Sequence, residues 1–105
     1  MAFLNQRFSL LSAKTSTGVD TSRVIALDRV CRSFTMFKTI AGVFSALVVA
    51  LEGSIDGTNW FVLGTDSTTA AGVTIVTDKP VLYLRGNVTT FTGGTSVSAD
   101  VIVAE

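Results

Sequence analysis

The chain of 105 residues contains no histidine, one cysteine and one proline. Without histidine it lacks the usual general base, the commonest metal ligand and every catalytic triad that needs an imidazole. Cys31 alone can form neither an intramolecular disulfide nor a thiolate zinc site, and we expect it to be a small buried apolar residue. These absences predict a protein that is not an enzyme and that uses no cofactor or metal.

Charge is also scarce, at 15% of residues where about 25% is usual. Eight basic and eight acidic side chains cancel, so the chain lacks the electropositive surface that binding to nucleic acid or to an anionic membrane requires. Hydrophobic residues make up 48% and the mean hydropathy is +0.55. Because a single domain of this size buries only about two-thirds of its unfolded surface, the apolar excess predicts assembly with other subunits.

The sequence has no apolar run long enough to span a bilayer. The most apolar segment, residues 40–51, is bounded by Lys38 and Glu52 and falls short of the roughly 20 residues that a transmembrane helix needs. The N-terminus lacks the apolar core of a secretory signal. We therefore expect a protein made in the cytoplasm, without a membrane partner.

Short β-branched runs do recur, separated by turn residues about every ten positions, which is typical of an all-β sandwich or barrel. We predict an antiparallel β-sandwich of seven or eight strands, jelly-roll-like or Ig-like. Residues 1–22 are assigned to an extended N-terminal arm and first strand, and residues 23–105 to the sandwich.

Three segments carry most of this prediction. Residues 33–40 and 97–103 alternate between apolar and polar, with Lys38 interrupting the apolar face. Residues 43–51 are apolar on both faces, which favours a central strand that touches a second layer or a neighbouring subunit. Asp56-Gly57 is the strongest turn signal and predicts a tight hairpin.

The polar and aromatic residues around that hairpin are expected to have structural roles. Glu52 and Asp56 are the only close carboxylates, but they fall at a strand end and in a turn, where solvated structural roles are common. Arg85 is expected to pair with an acidic residue such as Glu52 or to stack on an aromatic such as Trp60. The residues predicted to form the turn and support it are Glu52, Asp56, Gly57, Trp60, Tyr83 and Arg85.

The run LEGSIDGTNW at residues 51–60, followed by PVLYLR at residues 80–85 and TGG at residues 92–94, resembles a group of small β-sandwich proteins encoded in the structural modules of tailed bacteriophages. The resemblance covers the chain from Phe34 onwards. It implies a virion protein, such as a capsid decoration or cement protein, that forms a homotrimer on the capsid surface and binds the major capsid protein.

The apolar excess should then lie at contacts between subunits or with the capsid. Phe37 and Ile102 fall on strand faces that should be wet, and the N-terminus adds further apolar side chains. The predicted contact residues are Phe3, Leu4, Phe8, Leu10, Arg23, Arg29, Arg32, Phe37, Leu47 and Val49. The alternative is a phage tail or host-recognition module that binds glycans through Trp60, Phe61, Tyr83 or Phe91, exposed around a concave site.

Overall fold

A computed structural model describes residues 6–104, which form nine strands and one 3₁₀ turn in two antiparallel sheets. This confirms the predicted all-β sandwich, with one or two strands more than expected. Within the described residues no helix is long and apolar enough to cross a membrane. The elements are β1 (Gln6–Lys14), β2 (Gly18–Val19), a 3₁₀ turn (Thr21–Arg23), β3 (Ile25–Cys31), β4 (Ser33–Ala41), β5 (Phe44–Ser54), β6 (Trp60–Asp66), β7 (Gly72–Val76), β8 (Val81–Gly93) and β9 (Ser96–Ala104).

The strand order is that of a jelly roll. The first sheet has the order β1-β9-β4-β7 and the second β2-β8-β5-β6, with β3 also paired to β8. Because β2 and β3 both pair with β8, they act as one interrupted strand. Strands of the first half of the chain then pair with strands of the second half in nested order. β1 pairs with β9, β2 and β3 with β8, β4 with β7, and β5 with β6. The chain is thus one long hairpin rolled into two layers, and the predicted Asp56-Gly57 turn is the tip of that hairpin.

The core lies between the sheets and follows the alternation predicted for β4 and β9. Phe34 and Met36 of β4 point inwards and are buried. Cys31 is buried in the same apolar cluster, as expected. From β9 the inward residues are Val97, Ala99, Val101 and Val103.

Strand β5 lies between β8 and β6, as predicted for a central strand, but Leu47 and Val49 are core residues. A register shift against β8 between Phe44 and Ala46 places Phe44 on the same side as Leu47 and Val49. All three side chains face the opposite sheet of the same chain and are buried. This corrects the prediction that Leu47 and Val49 contact a neighbour.

Strand β1 is likewise part of the sandwich. It pairs with β9 along its length, Phe8 packs against the core, and Leu10 and Leu11 are at most 1% exposed. Register shifts on both sides of Leu11 turn two consecutive leucines inwards, against Gly86 of β8. The first strand predicted within residues 1–22 is therefore present as part of the sandwich, and Leu10 is a core residue of its own chain rather than a contact residue.

Candidate functional site

The outer face of the first sheet carries exposed or half-buried apolar side chains on three adjacent strands, β9, β4 and β7. On β7, Val73 and Ile75 are 59% and 71% exposed. Val73 pairs with Phe37 of β4, while Ile75 and Ile102 lie on either side of Thr35 in the next row. Phe37 and Ile102 are therefore on the outer face, where the sequence places them, and are half-buried. We call this surface the outer strip; it consists of Phe37, Val73, Ile75 and Ile102.

The charges beside the outer strip neutralise each other. Asp100 pairs with Phe37 across the β4–β9 ladder. Its carboxylate accepts hydrogen bonds from Arg7 of β1, at 2.5 Å from Nη2 and 3.0 Å from Nε. Among residues 6–104, the strip therefore offers apolar area without an unpaired charge next to it, which suits a contact that excludes water.

Lys38, the residue that interrupts the apolar face of β4, forms a buried ion pair between the sheets. Its Nζ donates to Asp66 Oδ1 at 2.8 Å, to the Thr68 carbonyl oxygen at 2.5 Å and to Thr68 Oγ1 at 3.0 Å. The Lys38 and Asp66 side chains are 0% and 5% exposed. All three ammonium protons are used, so this lysine ties β4 to the end of β6.

The pKa of Asp66 reflects two opposing causes. Burial alone would raise it, but hydrogen bonds from Lys38 and Thr68 outweigh burial and lower it below the ordinary value. These bonds therefore favour the carboxylate form of Asp66. The sequence identified Lys38 as an exception, but its partners lie 28 and 30 positions away, and no local pattern identifies them.

On the outer face of the second sheet, both contacts considered for Arg85 are present. Arg85 Nε donates to Glu52 Oε1 at 2.6 Å, and its guanidinium carbon lies 4.2 Å from the ring centroid of Trp60. Asn87 Nδ2 donates to Glu52 Oε2 at 3.1 Å. With both oxygens engaged and its side chain 11% exposed, Glu52 is held as a structural group.

Asp56 organises the hairpin turn. Its Oδ1 accepts hydrogen bonds from the backbone N–H groups of Thr58 and Asn59, both at 2.8 Å, and from Ser54 Oγ at 3.0 Å. Asn59 Nδ2 donates to Oδ2 at 2.7 Å. These bonds, the one from the Asn59 backbone foremost, hold the pKa of Asp56 well below its usual range. Asp56 and Glu52 thus have separate hydrogen-bond partners.

Gly57 completes the turn with φ +78°, and a side chain there would meet the ring of Tyr83 at 3.3 Å. The six residues predicted to support the turn therefore fall into two neighbouring groups on the second sheet. Glu52, Trp60 and Arg85 form one, while Asp56, Gly57 and Tyr83 form the other.

Two of the three predicted basic contact residues form ion pairs within the chain. Arg23 pairs with Asp20 and Arg32 with Asp78, each at 3.4 Å. Their part in an interface stays a prediction. Phe3 and Leu4 lie outside the described residues.

Three of the four aromatic residues considered for glycan binding pack against other residues of the chain, while Phe61 is 45% exposed. Phe91 packs edge-on against Phe44 with ring centroids 4.9 Å apart, Tyr83 lies against Gly57, and Arg85 covers Trp60. A shallow depression beside the β6–β7 connection is lined by small and polar residues without an aromatic. Among residues 6–104, no three His, Cys, Asp or Glu side chains are grouped so as to hold a metal ion.

No known protein family and no curated protein matches the sequence. Among solved structures, the fold is similar to that of the SPBc2 prophage-derived protein YomS, with a TM-score of 0.68 at 13% identity over 100% of this chain and 98% of that one. PirA gives a TM-score of 0.42 at 12% identity over 97% and 94% of the two chains, which carries no argument. At 13% identity, the likeness to YomS shows a shared fold along the whole chain.

Proposed function

We propose that this chain is a bacteriophage virion structural protein of the capsid-decoration type, which self-associates and binds the lattice of the major capsid protein to stabilise the head. The observation that carries the proposal is the outer strip, an apolar surface on the outer face of a sheet, where the described charges beside it, Arg7 and Asp100, pair with each other. The jelly roll recurs in viral capsid proteins, and the fold is shared with a prophage-derived protein over its full length.

The physical properties of the chain support a role in permanent contacts. Interfaces of obligate complexes resemble a domain core that has been cut in half, and they are more apolar than transient ones. Phe37 of the outer strip provides an aromatic anchor of the kind that dominates such interfaces. The carboxylates of Glu52, Asp56 and Asp66 all accept hydrogen bonds from other residues of the chain. A trimer, the state that the resemblance implies, is the expected oligomer on the capsid.

The proposal is tested with phage heads assembled without this protein, to which the purified chain is added back. We expect the added chain to co-sediment with the heads and to raise the temperature at which they release DNA. Phe37→Lys should abolish both effects, because it puts a charge in the centre of the strip. Val62→Lys is the matched control: Val62 is 55% exposed on an edge strand of the other sheet, and this variant should bind like the parent chain.

Two results would refute the proposal. One is failure of the folded chain to bind heads, together with its absence from purified particles by mass spectrometry. The other is binding by Phe37→Lys that equals binding by Val62→Lys, with both variants shown to be folded by circular dichroism.

A further inference from the structure

The exposed edges of the two sheets differ in how they are protected. Natural edge strands carry charges, bulges or breaks that prevent pairing with another chain. β1 carries Arg7 and Lys14 with two register shifts, and β6 ends in Asp66 with a register shift against β5. The edge formed by β2 and β3 is interrupted, and β3 carries Asp28 and Arg29.

β7 has none of these features. Its sequence is GVTIV, and it pairs with β4 through five consecutive residues without a register shift. Within the described residues it is the one sheet edge that is regular, uncharged and apolar on its exposed face. Such a strand presents backbone N–H and C=O groups to any strand that can align with it.

We propose that β7 pairs antiparallel with β7 of a second copy, about a two-fold axis through Thr74. In this register Val73 of each copy lies opposite Ile75 of the other, so the exposed β-branched side chains form two cross-strand pairs. The strand is thus complementary to itself. The contact extends the proposed function by naming the strand through which copies meet.

Charge and continuity favour a second copy as the partner. Residues 67–77 contain no ionisable side chain, so two copies align without like-charge repulsion. Pairing would also join the two outer strips into one apolar surface on a continuous eight-stranded sheet. An isologous contact uses both edges at once and closes as a dimer, whereas a heterologous edge contact that does not close into a ring would grow a filament.

The contact between two β7 strands is small. Two five-residue strands bury less than the roughly 800 Å² per partner of a stable interface. The dimer is therefore weak in free solution and is strengthened where a lattice holds copies side by side. This two-fold contact is separate from the contacts within the trimer that the resemblance implies, and on the capsid it would join a subunit of one trimer to a subunit of the next.

The first test is analytical ultracentrifugation of the purified chain over a concentration series. We expect a reversible monomer–dimer equilibrium, which Ile75→Lys weakens at least tenfold because it places a charge at the pairing edge. Val62→Lys, at an apolar position of the other sheet that is 55% exposed against 71% for Ile75, should behave like the parent chain. A parent chain that stays monomeric at every soluble concentration, or a discrete oligomer that Ile75→Lys leaves intact, would overturn the inference.

The second test checks the register with Val73→Cys and Ile75→Cys variants. Opposed side chains in an antiparallel pair have Cβ atoms about 4.5–5.5 Å apart, close enough for a disulfide after a small adjustment. A mixture of the two variants should therefore form covalent dimers on oxidation much faster than either variant alone. Equal rates in all three samples would contradict the two-fold register. Both tests use the isolated protein, so their failure leaves the binding of the chain to heads to be decided separately.

Discussion

At the scale of single residues, the ion pair between Lys38 and Asp66 is the most consequential interaction. Lys38→Met should lower the free energy of unfolding by about 3–5 kcal/mol, because it leaves the Asp66 carboxylate buried without its cation. Urea unfolding followed by circular dichroism measures the loss. Lys79→Met, a matched change at an exposed site, should stay within about 0.5 kcal/mol of the parent chain.

The double variant Lys38→Met/Asp66→Asn separates the loss of the pair from the loss of one partner. It should recover much of the stability, because no uncompensated charge remains and Asn can still accept a hydrogen bond from Thr68. A double variant as unstable as Lys38→Met would show that the unpaired carboxylate is not the cause.

Arg85 combines two contacts that lysine cannot reproduce together. Arg85→Lys loses the planar stack on Trp60 and the short Nε bond to Glu52, and should cost about 1–2 kcal/mol. Trp60 is the single tryptophan, so its emission reports directly on this site. An emission spectrum and a midpoint of unfolding that both match those of the parent chain would contradict this assignment.

At the scale of elements, the β5–β6 turn depends on the backbone conformation of Gly57. Gly57→Ala should destabilise the chain by about 1–2 kcal/mol, because a residue with Cβ is strained at this positive φ, and the added methyl also crowds Tyr83. Gly57→Asn should cost less, since Asn tolerates this conformation better. Thermal unfolding ranks the three proteins, with Thr58→Ala as an exposed neighbouring control; a Gly57→Ala protein as stable as that control would contradict the strain.

The same turn makes stability depend on acid. The pKa of Asp56 is lower in the folded chain than its ordinary value of about 3.9 in an unfolded one. In this range the unfolded chain binds more protons, so the stabilisation is complete above the unfolded pKa and is lost as pH falls towards the folded one. Asp66 contributes with the same sign. Between about pH 5 and pH 2, the stability of Asp56→Asn should fall less steeply than that of the parent chain in urea titrations; parallel curves would exclude this origin.

Elements with strict alternation could be predicted from sequence, and elements with bulges could not. The sequence predicts β4 and β9 together with their inward residues, and it predicts the position of the Asp56-Gly57 turn. In β1 and β5, register shifts turn Leu10, Leu11 and Phe44 inwards against the expected period of two. A shift depends on the partner strand, which is distant in sequence. The sequence places Phe37 and Ile102 on outer faces, as the structure does. It does not identify Val73 and Ile75 as members of the outer strip, because only the strand order shows that β7 is an edge strand beside β4.

At the scale of the whole molecule, balanced charge predicts contacts that tolerate salt. Binding to heads and self-association should change little between about 0.05 M and 0.5 M NaCl, because screening acts on charges and not on apolar area. Co-sedimentation and ultracentrifugation across this range measure it. A steep log-linear fall in affinity, as phosphate contacts produce, would instead indicate an electrostatic partner.

The nested pairing of the jelly roll also sets an order of folding. Trp60 pairs with Ser54 across one turn, whereas Arg7 and Asp100 are 93 positions apart. Because closing a longer loop costs more entropy, the β5–β6 hairpin can form early, and strands can add outwards from it until β1 meets β9. During synthesis on the ribosome, β1 is made first but must wait for the last strand. Leu10 and Leu11 remain uncovered during that interval, when the nascent chain is most exposed to aggregation.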